Sequence, residues 1–104
     1  MLTKGSRVTR ALNVIARIVP HEQHYAAARG AICDIVDATR AEPGCLEFRL
    51  CEDADERVLY LYEEWRDEAA LAAHHRQPYT QAVFEAYRSW LAEDPEIRHL
   101  RPVR

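Results

Sequence analysis

Glycine is scarce in this chain of 104 residues, with only three, at positions 5, 30 and 44. No glycine-rich turn is therefore available to cradle the phosphates of a nicotinamide or flavin cofactor. Charge of one sign is also lacking: 14 Lys and Arg against 17 Asp and Glu give a formal net charge of −3. The basic residues are scattered, which leaves no electrostatic footprint for nucleic acid. No apolar run approaches the roughly 20 residues of a membrane helix. The opening MLTKGSRVTR carries charge, but no adequate apolar stretch follows it before Pro20-His21, so it does not read as a secretory signal. It reads as a flexible tail over residues 1–10, ahead of one domain over residues 11–104. Three cysteines, Cys33, Cys45 and Cys51, are an odd number in no metal-ligand spacing and suit a reducing cytoplasm. Cys45 and Cys51 fall on one expected strand, about 20 Å apart, and cannot pair within the chain. His21-Glu22-Gln23-His24 misses the zinc pattern H-E-x-x-H, because Tyr25 stands where the second histidine would be. Neither a metal nor an organic cofactor is expected.

What is present is a regular alternation of strand and helix signals. Residues 12–19 (LNVIARIV) are β-branched and apolar and stop at Pro20, which reads as a first strand. Residues 22–40 carry Tyr25, Ala28, Ile32, Ile35, Val36 and Thr39 at helical spacing. Gly30 inside this helix predicts close packing or a local irregularity. Glu42-Pro43-Gly44 ends it, with Gly44 expected to take a positive φ. Residues 45–51 (CLEFRLC) alternate, placing Leu46, Phe48 and Leu50 on one face and Glu47 and Arg49 on the other. After a polar turn, residues 58–65 (VLYLYEEW) form a hairpin with them. Asp67 suits the N-cap of a short helix to His75. Pro78 opens a further helix with Tyr79, Ala82, Val83, Ala86, Tyr87, Trp90 and Leu91 as its stripe. Residues 96–103 (EIRHLRPV) read as a last strand. Ile97 and Leu100 point to opposite faces there, which leaves the inward face open.

The resulting order, βαββαβ, is the ferredoxin-like α+β arrangement: a four-stranded antiparallel sheet with its helices on one face. Residues 58–62 (VLYLY) are apolar at both parities, which predicts cover on both faces of that strand. The helices cover one. A second copy of the chain, sheet against sheet, is the simplest cover for the other.

Several stretches then come into register with a known family. They are the opening strand NVIARI, the turn TRAEPGC, the strand end Glu63-x-Trp65, the helix ALAAH followed by Pro78-Tyr79, and the closing RHLRPV. In this order the chain resembles the antibiotic-biosynthesis-type monooxygenase domain, a quinol-monooxygenase-like family of dimeric α+β barrels. The resemblance runs from Leu12 to Val103 and is more specific for fold than for substrate. It implies a cofactor-independent reaction of dioxygen with an electron-rich phenol, hydroquinone or polyketide-type ring. The ring would be bound between helices and sheet, with the protein supplying binding, proton removal and anion stabilisation.

His74, on the helical stripe with Ala70 and Leu71, points inward, and an imidazole is the side chain suited to proton transfer near neutral pH, which makes it the candidate base. It would serve equally as a core histidine bonded to a carbonyl. Glu63 and Trp65 share one strand face. Trp65 is a candidate ring wall or plain core. Glu63 would orient His74, take up a proton, or form a strand-end salt bridge. Asn13, the uncharged polar residue of the first strand, is a candidate to hold a phenolate or superoxide oxygen, or else makes a structural hydrogen bond. Tyr62, Tyr79 and Phe84 are candidate substrate-binding residues. Relatives that open haem use an Asn, Trp and His set. Here Asn13 matches the first, and the others align near Leu71 and Val83, so haem degradation is disfavoured. Cys45 reads as a small buried residue. Two rivals share the fold: a noncatalytic dimeric binding or stress-related barrel, and an oxygen-independent isomerase using His74 and Glu63.

Overall fold

The computed structural model describes residues 11–104, and the expected tail over residues 1–10 lies outside the described residues. The chain runs β1 (Leu12–Ile18), a 3-10 turn (Glu22–His24), α1 (Tyr25–Arg40), β2 (Cys45–Asp53), β3 (Val58–Trp65), α2 (Glu68–His75), α3 (Pro78–Trp90) and β4 (Glu96–Leu100). The strands form one antiparallel sheet in the order β2-β3-β1-β4. This is the ferredoxin-like α+β fold expected from the element order. The last strand stops at Leu100, short of the expected residue 103, and Pro102 lies beyond it. Among the described residues no helix is long and apolar enough to cross a membrane.

Strand parity decides which side chains meet the helices. In β1, Val14, Ala16 and Ile18 are buried beneath them. In β3, Leu59, Leu61, Glu63 and Trp65 share that face. Helix α1 closes over them with Tyr25, Ala28 and Ile32, the spacing that amphipathicity demands. In α3 the inward side chains are Thr80 and Val83, whereas Ala82, expected on the stripe, is exposed. The end of β1 is tied to the end of α3 by Ala92 N–H to the Val19 carbonyl and His21 N–H to the Trp90 carbonyl, both 2.8 Å.

Two local features differ from expectation. A bulge between Cys45 and Glu47 breaks the alternation of β2, so Leu46 is 57% exposed while Phe48 turns inward. Gly44 does not adopt a positive φ. Its need for glycine is steric: a Cβ there would stand 2.2 Å from Ala70 Cβ. Its carbonyl accepts from Arg66 N–H at 2.8 Å, which holds the α1–β2 turn against the end of β3. Gly30, by contrast, has open space where a Cβ would be, so the expected close packing is absent.

Candidate active site

Between the sheet and the helices lies a cavity of about 210 Å³. Its walls are mostly apolar, including Val14, Ile32, Phe48, Leu61, Leu71 and Val83. The polar groups on it are Glu63, His74, His75, Thr80, Tyr87 and His99.

His74 reaches the cavity from the last turn of α2. Asp67 caps that helix by accepting from Ala70 N–H at 2.9 Å. The same stripe buries Ala70 and Leu71, as the periodicity predicts. The imidazole packs tilted on Trp65 at 4.8 Å between ring centroids and edge-on to Phe48 at 5.5 Å. Its Nδ1 lies 2.9 Å from Oε2 of Glu42, and the two side chains are only 5% and 7% exposed. A carboxylate partner assigns the proton to Nδ1, which leaves Nε2 as the basic nitrogen. Nε2 has no hydrogen-bond partner among the described residues. Thr80 Oγ1 also stands 3.4 Å from Nδ1.

Glu42 is the residue that orients His74, and periodicity did not point to it. It lies in the turn after α1, 32 residues away in sequence. One signal was available: a carboxylate just past a helix C-terminus faces the negative end of the dipole, so it is out of place unless something else holds it. Tyr79 donates its hydroxyl to the same Oε2. Burial and that carboxylate push the Tyr79 hydroxyl up to about 12, so it remains a neutral donor. Tyr79 therefore braces Glu42 and is absent from the cavity wall.

Glu63 does not bond His74 and forms no salt bridge among the described residues. Its Oε1 accepts from Trp65 Nε1–H at 2.9 Å. Burial pushes its carboxyl above the usual carboxylate range, while the Trp65 bond, His74 and His99 partly counter it. Trp65, fully buried, is the back wall of His74 and does not line the cavity itself. Phe84 lies at the mouth, 41% exposed, with His75 edge-on at 5.5 Å. The His75 imidazole is driven toward its neutral form by burial, with His74 and His99 adding to the effect. The Cys45 thiol is raised to about 11, mainly by burial and then by Glu42 and Glu63, so it stays protonated and unreactive.

Two candidates are not brought to this site within one chain. Asn13 pairs with Glu64 and Leu100 on the sheet face away from the helices. Its Nδ2–H donates to the Tyr62 hydroxyl at 2.8 Å, and Tyr62 donates to Glu64 Oε2 at 2.6 Å. The strand period of two imposes this: neighbours Tyr62 and Glu63 cannot face one cavity, nor can Asn13 and Val14. The Asn13 Oδ1 is enclosed there without a hydrogen-bond partner among the described residues. No group of His, Cys, Asp or Glu among the described residues is arranged to hold a metal ion.

The chain matches the family described as "Antibiotic biosynthesis monooxygenase" over residues 11–86. A curated Mycobacterium tuberculosis protein, "Putative monooxygenase Rv0793", is 36% identical over 72 residues, spanning 69% of this chain and 71% of its own length. The solved structure of Rv0793 superposes with a TM-score of 0.86 at 30% identity, covering 90% of this chain and 96% of that one. The crystal structure of PA3566 from Pseudomonas aeruginosa gives 0.86 at 28% identity, covering 93% and 98%. The chain belongs to the antibiotic biosynthesis monooxygenase family.

Proposed function

We propose that this protein is a monooxygenase that oxidises a small electron-rich aromatic, a hydroquinone or polyketide-type phenol, with dioxygen. Family membership supports the reaction class. The observation that carries the site assignment is His74, buried, fixed at Nδ1 by Glu42 and stacked on Trp65 at the wall of an apolar cavity. A ring lodged there gives its acidic proton to Nε2, and Glu42 stabilises the imidazolium that forms. The resulting anion passes one electron to dioxygen. Superoxide and the ring radical combine to a peroxide, which collapses with one oxygen retained on the ring and the other leaving as water. For a hydroquinone the balance is substrate plus dioxygen to hydroxyquinone plus water. The electrons come from the substrate itself, so the reading calls on no cofactor. Phe84 at the mouth contacts the incoming ring.

The working form in this proposal is a homodimer. Ile15, Tyr60 and Tyr62 are only half-buried on the face away from the helices, and Leu100 beside them is 42% exposed. A second sheet laid over these side chains would remove them from water. Light scattering tests this, since a monomer at micromolar concentration refutes it. The three free thiols fit a reducing cytoplasm.

The activity test is oxygen uptake by metal-stripped protein over a panel of hydroquinones and anthrone-like phenols. His74→Ala should lower enzyme-dependent uptake by roughly 10²–10⁴-fold. Uptake unchanged in that variant removes His74 from the mechanism, and no uptake over the panel refutes the oxygenase reading. A second reading, an isomerase moving protons without dioxygen, is favoured by the presence of both His74 and Glu63 on the cavity wall. Turnover that persists under nitrogen would select it.

A further inference from the structure

The apolar cavity carries one carboxyl, that of Glu63, 7% exposed on β3. One of its oxygens is occupied: Oε1 takes the Trp65 indole N–H at 2.9 Å. The other, Oε2, has no hydrogen-bond partner among the described residues. Among the described residues no arginine or lysine pairs with the group. The titratable groups that face it are His74 from α2, His99 from β4, Glu42 from the α1–β2 turn, Cys45 from β2 and Tyr87 from α3. The tyrosine is held neutral by its own burial and by the carboxyl, and Glu42 disfavours a second negative charge. Removing the carboxyl from water outweighs the two histidines and the indole bond, so its neutral form is favoured beyond the usual carboxylate range. A neutral carboxylic acid has a proton to donate, and the oxygen left free by Trp65 is the one able to carry it.

We propose that Glu63 is a substrate-binding acid, which donates a hydrogen bond from its free oxygen to a ketone, quinone or phenol oxygen of a one- or two-ring aromatic held in the cavity. The size follows from the volume. An engineered apolar cavity of about 150 Å³ accommodates benzene, and the cavity here is about 210 Å³. The orientation follows from Trp65, which stacks on His74 and bonds Glu63, so base and acid are fixed through one side chain. The proton-accepting His74 and the proton-donating Glu63 then meet different atoms of one ligand. A substrate with an acidic proton and a separate acceptor oxygen satisfies both, and an unsubstituted hydrocarbon ring satisfies neither. The inference rests on the site proposed above but does not require its oxygen chemistry.

The test compares 1-tetralone, a two-ring ketone, with tetralin, the same skeleton without the oxygen, in calorimetric binding to the full chain without dioxygen. The wild type should favour the ketone over the hydrocarbon by about 3- to 10-fold, the usual range for one net hydrogen bond. That preference should vanish as pH rises and Glu63 ionises, because a carboxylate only accepts. Glu63→Gln keeps an N–H donor at every pH, so its preference should be flat with pH, and Glu63→Leu should have none. Infrared spectra should show a protonated-carboxyl band that persists to higher pH than that of an exposed carboxyl and that Glu63→Gln removes. The inference is overturned by equal binding of the two ligands, by binding of neither, by a preference that survives Glu63→Leu, or by a Glu63 carboxyl that ionises no later than an exposed one. Ketone preference without oxygen uptake on any phenol sinks the monooxygenase reading and leaves this one standing. Uptake with no dependence on Glu63 does the reverse.

Discussion

Replacing Glu42 by Gln tests whether the buried carboxylate acts through His74. The substitution keeps the shape, but an amide can present either its oxygen or its N–H to His74 Nδ1, where the carboxylate only accepts. The substitution also removes the charge. A hydrogen bond to a charged group contributes about 1.5–3 kcal/mol, and each 1.4 kcal/mol or so is tenfold in rate. With both side chains almost wholly buried, little solvent screening reduces this figure. Glu42→Gln should therefore cut kcat for oxygen uptake by roughly 10- to 150-fold with KM nearly unchanged, since Glu42 does not line the cavity. Two readouts separate positioning from simple damage. Nitrogen NMR of the His74 ring should show the proton on Nδ1 in the wild type and a mixture of tautomers in the variant. In a His74→Ala background Glu42→Gln should have no further effect, because the two act as a unit. Additive losses, or a wild-type ring protonated on Nε2 alone, would refute the argument.

Other contacts make equally direct predictions. Gly44→Ala forces a Cβ to 2.2 Å from Ala70 Cβ, a contact neither rigid side chain can relieve. It should cost about 1–3 kcal/mol in urea unfolding. Adding Ala70→Gly should recover part of that, with a coupling of about 0.5 kcal/mol or more, and zero coupling would refute the contact. Gly30→Ala meets nothing within 4 Å and should stabilise the protein by about 0.5–1 kcal/mol, which a lowered melting temperature would contradict. Because the Glu63 pKa is raised in the fold, its contribution to stability is full below the ordinary carboxylate pKa and is lost as pH rises through the raised one. Glu63→Gln should remove that loss, so the variant gains on the wild type as pH rises through this window. Parallel stability curves would show that Glu63 ionises normally.

The order of elements was legible because strands and helices here carry their periods openly: Val14, Ala16 and Ile18 alternate, and Ala70, Leu71 and His74 share one helical face. His74 and Trp65 came together for the same reason. The candidates that fell elsewhere failed against a rule also present in the sequence. Tyr62 and Glu63 are consecutive on a strand, so one of them had to face away. Asn13 precedes the inward Val14 and was bound to the other face by the same alternation. The bulge at Leu46 was not legible, because an extra residue in one strand is defined only against its partner. Nor was the inward face of β4. Its pairing with β1 puts Ile97 opposite Ala16 and His99 opposite Val14, so the cavity side takes one apolar and one titratable residue. Glu42 was hidden most completely, since its role is a contact across 32 residues made from a turn.

That turn has a larger part in the site than its sequence suggests. Glu42 meets His74 only if α2 lies close against the α1–β2 connection, and the distance is set two residues on, at Gly44. Without a side chain there, Ala70 and with it the whole of α2 approach the turn, while Arg66 N–H fastens the Gly44 carbonyl just before the helix begins. The bond from Asp67 to Ala70 N–H then fixes where the helix starts, and His74 follows one turn later on the same face. Steric fit at Gly44 and the hydrogen bond at Glu42 are thus two ends of one arrangement. A substitution at Gly44 should disturb the His74 ring as well as the fold, although Gly44 is absent from the cavity wall. The His74 tautomer measured in Gly44→Ala decides the matter. A mixture of tautomers with partial recovery in Gly44→Ala/Ala70→Gly would show that packing sets the chemistry, whereas a wild-type ring in a destabilised protein would show that the two are independent.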